Sequence, residues 1–120
     1  MRTHYLVAFC ALIAMPCQAQ EWSRTDTALE ATYLALHSVD WSQSKYIAKH
    51  PESFYETNVF LGKHPHGGDV NVYFATTAIA HIAVAYLLPE KYRSMFQVAT
   101  IGMEIGYVGK NYHIGIGFSF

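Results

Sequence analysis

Between Asp69 and Pro89 stand 19 consecutive residues, VNVYFATTAIAHIAVAYLL (Val70 to Leu88), without one charge and without Gly or Pro. At ~1.5 Å per residue a helix over this run is about 28 Å long, close to the ~30 Å thickness of bilayer hydrocarbon. The alanines favour helix over strand, Asp69 is placed to help cap the start, and Pro89 stops it. A helix apolar on every side needs lipid or protein all round it. The chain is 120 residues, one domain in size, with few neighbours to offer. The run therefore predicts a membrane span, with the buried helix of a soluble periplasmic domain as the alternative. Charged residues make up 14% and hydrophobic ones 52%, which excludes disorder, and a net charge of -1 provides no footprint for nucleic acid.

The N-terminus reads as an export signal. Arg2 and His4 precede an apolar stretch from Tyr5 to Met15, then Pro16 breaks it and Cys17-Gln18-Ala19 places small residues at a cleavage position. Eleven apolar residues are too few to span a bilayer, so residues 1–19 are expected to be a signal peptide and 20–120 a single helical membrane domain. Both cysteines, Cys10 and Cys17, fall in the removed part, leaving a chain without thiols. A lipoprotein reading of Cys17 is disfavoured by Pro16 beside it.

Two further segments are expected to be helical. Ser94 to Tyr112, after a PEKYR turn, forms a helical hairpin with the first run and carries a GxxxG step, Gly102 and Gly106, of the kind that lets helix backbones approach closely in lipid. Thr25 to about Lys49 is polar, but its polar residues are ordered: Asp26, Glu30, Tyr33, His37, Asp40 and Ser44 recur at spacings of 4, 3, 4, 3 and 4, on one helical face. Ser23 with Asp26 reads as a capping box. Trp22 and Trp41 stand 19 residues apart, about 28 Å along a helix, the spacing of two interfacial belts; the same pattern would also suit a helix lying on a surface. With the N-terminus outside, Lys45, Lys49, Lys63 and Lys110 lie inside and Lys91 and Arg93 in the outer turn, in keeping with the positive-inside rule.

An ionisable side chain in lipid must be paired. His81 and Glu104, at similar depth from the turn, are expected to face each other or the stripe of the first helix, with Glu30 and His37 as further members. Such a cluster fits a proton relay, a ligand pocket, a structural network or a mononuclear metal site; the ExxH pairs of carboxylate-bridged metal bundles do not occur. Asp26, Asp40, Glu56, Asn58, His64 and Asn111 complete the polar seam and loop. His64 and His66 near Asp69 have metal-ligand character, although Pro65, Gly67 and Gly68 make a shaped turn the simpler reading; Glu56 and Asn58 read as helix caps or loop fasteners. Nucleophile elbow, phosphate loop, CxxC pair and dinucleotide fingerprint are all absent from the sequence, so an enzyme is not expected, nor a bound cofactor other than a metal. The last nine residues alternate like a barrel strand, but Val70 to Leu88 does not.

The run ETNVFLGKHP, followed by NVYFATTAIAHIAVAYLLPEKYR and IGMEIGYVGKNY, resembles a group of small uncharacterised helical membrane proteins of proteobacteria and their phages, over about Asp40 to Tyr112. Those proteins show ETNP where this chain has Val59. The resemblance implies a helical membrane protein and supplies no activity; it matches Glu56, Asn58, His64, His81, Glu104 and Asn111. Together these readings predict an all-α, three-helix membrane bundle in a bacterial inner membrane. Its partners would be lipid and a second copy or another membrane protein, met through Gly102 and Gly106, and its role structural or accessory. The second expectation is a metal- or proton-handling protein using Glu30, His37, His81 and Glu104.

Overall fold

The computed structural model describes residues 21–120. The expected signal segment 1–19, with Cys10 and Cys17, lies outside the described residues. Three helices follow: α1 (Arg24–Lys49), α2 (Gly67–Leu87) and α3 (Glu90–His113). No strand occurs among the described residues, so the all-helical expectation holds.

Local chemistry sets the ends of these helices. At the start of α1 the Ser23 hydroxyl accepts from the Asp26 amide (3.0 Å) and the Asp26 carboxylate accepts from the Ser23 amide (2.9 Å), the expected capping box. Helix α2 begins earlier than expected, with His66 as N-cap and no side-chain cap bond, so Asp69 is not a cap but an acid inside the first turn, where the helix dipole favours it. The hairpin turn also differs from expectation. Leu88 and Pro89 alone connect α2 to α3, because the fixed φ of Pro89 (-54°) already suits helix entry and its carbonyl accepts the Arg93 amide (2.8 Å). Arg93, expected in an exposed turn, is therefore on the first turn of α3 and buried.

Contacts at the two ends give the direction of the helices. Asp26 meets Arg93 at one end, and Gln43 meets Asn111 at the other, so α1 and α3 run parallel with α2 reversed against both. Helix α1 packs on both others, whereas α2 and α3 scarcely meet despite their short connection. The segment after α3 returns along α1: Ser119 donates its amide to the Ser42 carbonyl, Lys49 reaches the Ser119 hydroxyl, and Ile116 is buried.

Polarity is inverted relative to a water-soluble core. The buried set includes Asp26, Glu30, His37, Gln43, His81, Arg93, Gln97 and Glu104, while Val72, Ile79, Leu87, Met95, Val98 and Ile105 are exposed. No exposed side chain is charged on α1 from Thr25 to Val39, on α2 from Val70 to Leu87, or on α3 from Ser94 to Gly109. Even the exposed hydroxyls of Thr32 and Ser38 are turned onto their own helix, each donating to the carbonyl four residues back at 2.7 Å. Exposed charges gather beyond this belt, Arg24 and Lys91 at one end and Lys49, Lys63 and Lys110 at the other.

The returning tail leaves no room at Gly117, where a Cβ would stand 2.9 Å from the Tyr46 ring. Tyr46 is itself stacked on His50, with ring centroids 4.0 Å apart. Gly117→Val is expected to release the tail, read as faster carboxypeptidase trimming than in the parent chain; equal trimming would disprove the clamp.

Candidate functional site

The stripe on α1 forms the spine of the interior, and each member meets a partner from another element. At the end nearest the α2–α3 joint Arg93 donates to Asp26 (2.8 Å) and to the carbonyls of Ala85 (2.7 Å), Leu88 (3.2 Å) and Tyr86 (3.4 Å). One guanidinium thus closes the free carbonyls of α2's last turn and neutralises the acid at α1's first turn, each placed where the helix dipole favours it. The Trp22 ring covers it, 5.0 Å from centroid to guanidinium carbon. One turn further in, Gln97 donates to the Asp26 carbonyl (3.1 Å) and the Glu30 carboxylate (3.0 Å).

The centre holds two imidazoles, each between a carboxylate and a threonine. His81 on α2 lies 2.7 Å from Glu30 through Nδ1 and 2.8 Å from Thr100 through Nε2. His37 on α1 lies 2.9 Å from Glu104 through Nδ1 and 3.0 Å from Thr77 through Nε2, with the Phe74 carbonyl at 3.1 Å. Each level takes one Glu, one His and one Thr, and each of the three from a different helix, with the residue types permuted between levels. Tyr33 is sandwiched between, 3.4 Å from His81 and 5.1 Å from His37 by ring centroids.

The threonines determine where protons reside. Thr100 spends its hydroxyl proton on the Phe96 or Gln97 carbonyl (2.9 and 3.0 Å), and Thr77 on the Tyr73 or Phe74 carbonyl (2.8 and 3.2 Å). Each hydroxyl can then only accept from the imidazole, which puts a proton on Nε2 of both histidines. The short contacts from Nδ1 to Glu30 and to Glu104 each require one more proton, held on the ring or on the carboxyl. Each pair therefore shares one proton between ring and carboxyl and adds no net buried charge.

At the inner end α1 meets the loop and the end of α3. Glu56 accepts from the Ser44 hydroxyl (2.8 Å) and from the amides of Thr57 and Asn58, and Asn58 accepts from the Phe60 amide (3.0 Å), so both are the expected loop fasteners. That turn closes with Val59 in place of proline, its side chain in the open. Asn111 donates to Gln43. Asp40, half-buried, feels the charges of Glu104 and Glu56. Because α2 and α3 diverge here, a cavity of about 570 Å³ opens beside Tyr33, His37, Asp40 and Glu104, roofed by the loop at Asn58 and Phe60.

Of the residues singled out in the sequence, Asp26, Glu30, Tyr33, His37, His81 and Glu104 come together along one seam, with Asp40, Glu56, Asn58 and Asn111 at its inner end. The four metal candidates do not form one cluster: they are two separate His–carboxylate pairs with Tyr33 between them, and His81 faces Glu30 rather than Glu104. Among the described residues no group of three or more His, Cys, Asp or Glu side chains is gathered for a metal ion, and His64 and His66 are exposed in the loop, away from the seam. Gly102 and Gly106 do not pack inside the protomer; a Cβ at either would meet nothing within 4 Å. Sequence reasoning missed Arg93, Gln97 and Thr100. Their signal was present, since Arg93, Gln97, Thr100 and Glu104 repeat at 4, 3 and 4, the same rhythm as the stripe on α1. Comparison of the chain with known protein families, with curated proteins and with solved structures finds no match.

Removing Arg93 strands Asp26 and three helix-end carbonyls. Arg93→Met is expected to cost about 3–5 kcal/mol in unfolding free energy, by the measured cost of breaking buried pairs. At the next level, Glu30→Leu alone should destabilise strongly, and Glu30→Leu combined with His81→Phe should recover most of the loss, because the joint change leaves no charge unpaired. A double substitution as damaging as the sum of the singles would show that the pair does not act as a unit.

Proposed function

We propose that this chain is an integral inner-membrane protein whose three helices cross the bilayer with the polar seam inside, and that the two His–carboxylate pairs hold exchangeable protons there. The observation that carries this reading is the inversion of polarity: a charge-free belt on all three helices surrounds an interior of paired acids, imidazoles and one guanidinium. Water rewards the opposite arrangement, whereas lipid demands that ionisable groups face inward and be paired. Helix α2 passes a length and hydropathy test for a span, with 22% of its window buried. Helix α1 is too polar to pass such a test in sequence, yet its polar face is turned wholly inward. The export signal expected at residues 1–19 and the resemblance to helical membrane proteins point the same way.

A proton-handling role follows from the permuted Glu–His–Thr levels. Each stores one proton, and Tyr33 contacts both rings, its hydroxyl 3.3 Å from His37 Nδ1. A second reading, assembly of copies through α3, is favoured by the open glycine face at Gly102 and Gly106. Crosslinking in native membranes tests it: Gly106→Leu is expected to abolish a dimer band, and a band unchanged by that substitution removes the idea.

Placing a charge on the belt discriminates the membrane reading from a soluble one. Ile79 is 70% exposed. In lipid Ile79→Asp should cost about 2.5–3.5 kcal/mol and reduce insertion and abundance; on a water-facing surface it should be close to neutral. The parent chain is expected to stay with membranes washed in alkaline carbonate and to leave them only in detergent. Release into the aqueous fraction, with Ile79→Asp folding normally, would refute the proposal.

A further inference from the structure

We propose that the cavity between α2 and α3 is a binding site for a protonated organic amine, held by its ammonium group against Glu104 and enclosed by aromatic rings. This goes beyond the membrane reading and stands on different observations. The cavity, about 570 Å³, falls within the range of ~300–1,000 Å³ typical of small-molecule sites and far exceeds what a single ion fills.

Its chemistry is selective for a cationic donor. Glu104 is 7% exposed, lines the cavity and gives Oε1 to His37, while its Oε2 is buried without a hydrogen-bond partner. A buried carboxylate oxygen in that state lacks a donor that a ligand can supply. Asp40 adds a second acid on the same wall, within hydrogen-bonding reach of Glu104, so the two carboxylates crowd each other and a cation relieves both, while Glu56 is already satisfied by the loop. An anion would meet these carboxylates, and a neutral apolar molecule would leave Oε2 as it is. Tyr73, Phe74 and Tyr107 line the remaining walls, and ring faces attract a cation as well as an apolar body. A primary ammonium on an aromatic or alkyl body satisfies all three demands: N–H for Oε2, charge for the acids, carbon for the rings.

The test uses purified full-length protein in detergent, with 2-phenylethylamine as probe and 2-phenylethanol, equal in size but neutral, as control, followed by calorimetry at neutral pH. The amine is expected to bind at least about tenfold more tightly than the alcohol, the equivalent of one charge-assisted hydrogen bond. Glu104→Gln, checked for unchanged helicity, should abolish that preference. Should that variant fail to fold, Asp40→Asn, which leaves the His37–Glu104 contact in place, should weaken the preference severalfold. No binding of the amine at millimolar concentration, equal binding of amine and alcohol, or a preference that survives substitution of the acids in folded protein would each overturn the assignment. These outcomes do not depend on whether the belt faces lipid, so failure here is distinguishable from failure of the membrane proposal.

Discussion

A charge taken out of water must be met by an opposite charge or by several hydrogen bonds, and α1 presents that requirement at nearly every turn. Asp26, Glu30, His37 and Ser44 all point inward, so the other elements are positioned by the need to supply Arg93, His81, Glu104 and Glu56 to them. Apolar contact plays a smaller part than usual: Val70, Phe74, Ala85 and Ile47 are buried, but few large apolar side chains join them. Directional bonds thus carry the register. A slip of one helix relative to another would separate Asp26 from Arg93, Glu30 from His81 and His37 from Glu104 together, so these three pairs fix one register.

Much of this was legible before any coordinates. The spacing of polar residues on α1 marks a single polar face, suited to buried partners or to a surface, and the structure turns that face inward. The absence of charge in Val70 to Leu88 marked α2. What was not legible was pairing. Periodicity reports the face a residue occupies but not the height at which its partner stands, which is why the sequence offers His81 and Glu104 either each other or the stripe on α1, and only the structure separates the four candidates into two pairs. Arg93 was misplaced for a local reason: PEKYR looks like a turn, yet proline is well tolerated at a helix entrance, and the bonds Arg93 makes to the end of α2 require it to be on the helix. Gly102 and Gly106 were recognised as a packing face, but which body they meet depends on contacts outside the chain.

The two central levels show how few residue types are needed to satisfy a buried imidazole. A threonine that gives its hydrogen to its own helix becomes a pure acceptor, which fixes one imidazole proton and leaves the other nitrogen to share with a carboxylate. Permuting Glu, His and Thr among three helices lets both levels use this device while Glu30 and Glu104 stand on different helices. Glu104 differs from Glu30 in one respect. Glu30 uses both oxygens, through His81 and Gln97, while Oε2 of Glu104 is buried with no hydrogen-bond donor, beside the cavity.

The brevity of the connection at Leu88 and Pro89 bears on how the chain can vary in length. One residue added there would rotate α3 by ~100° about its axis, carrying Arg93, Gln97, Thr100 and Glu104 together off the seam and onto the apolar flank. The joint therefore behaves as a phase lock between α2 and α3, intolerant of insertion or deletion. The segment between α1 and α2 is under no such constraint of phase, since its backbone is held locally, by Glu56 to Lys63 and by the turn at Asn58, rather than by a helix that must keep its face.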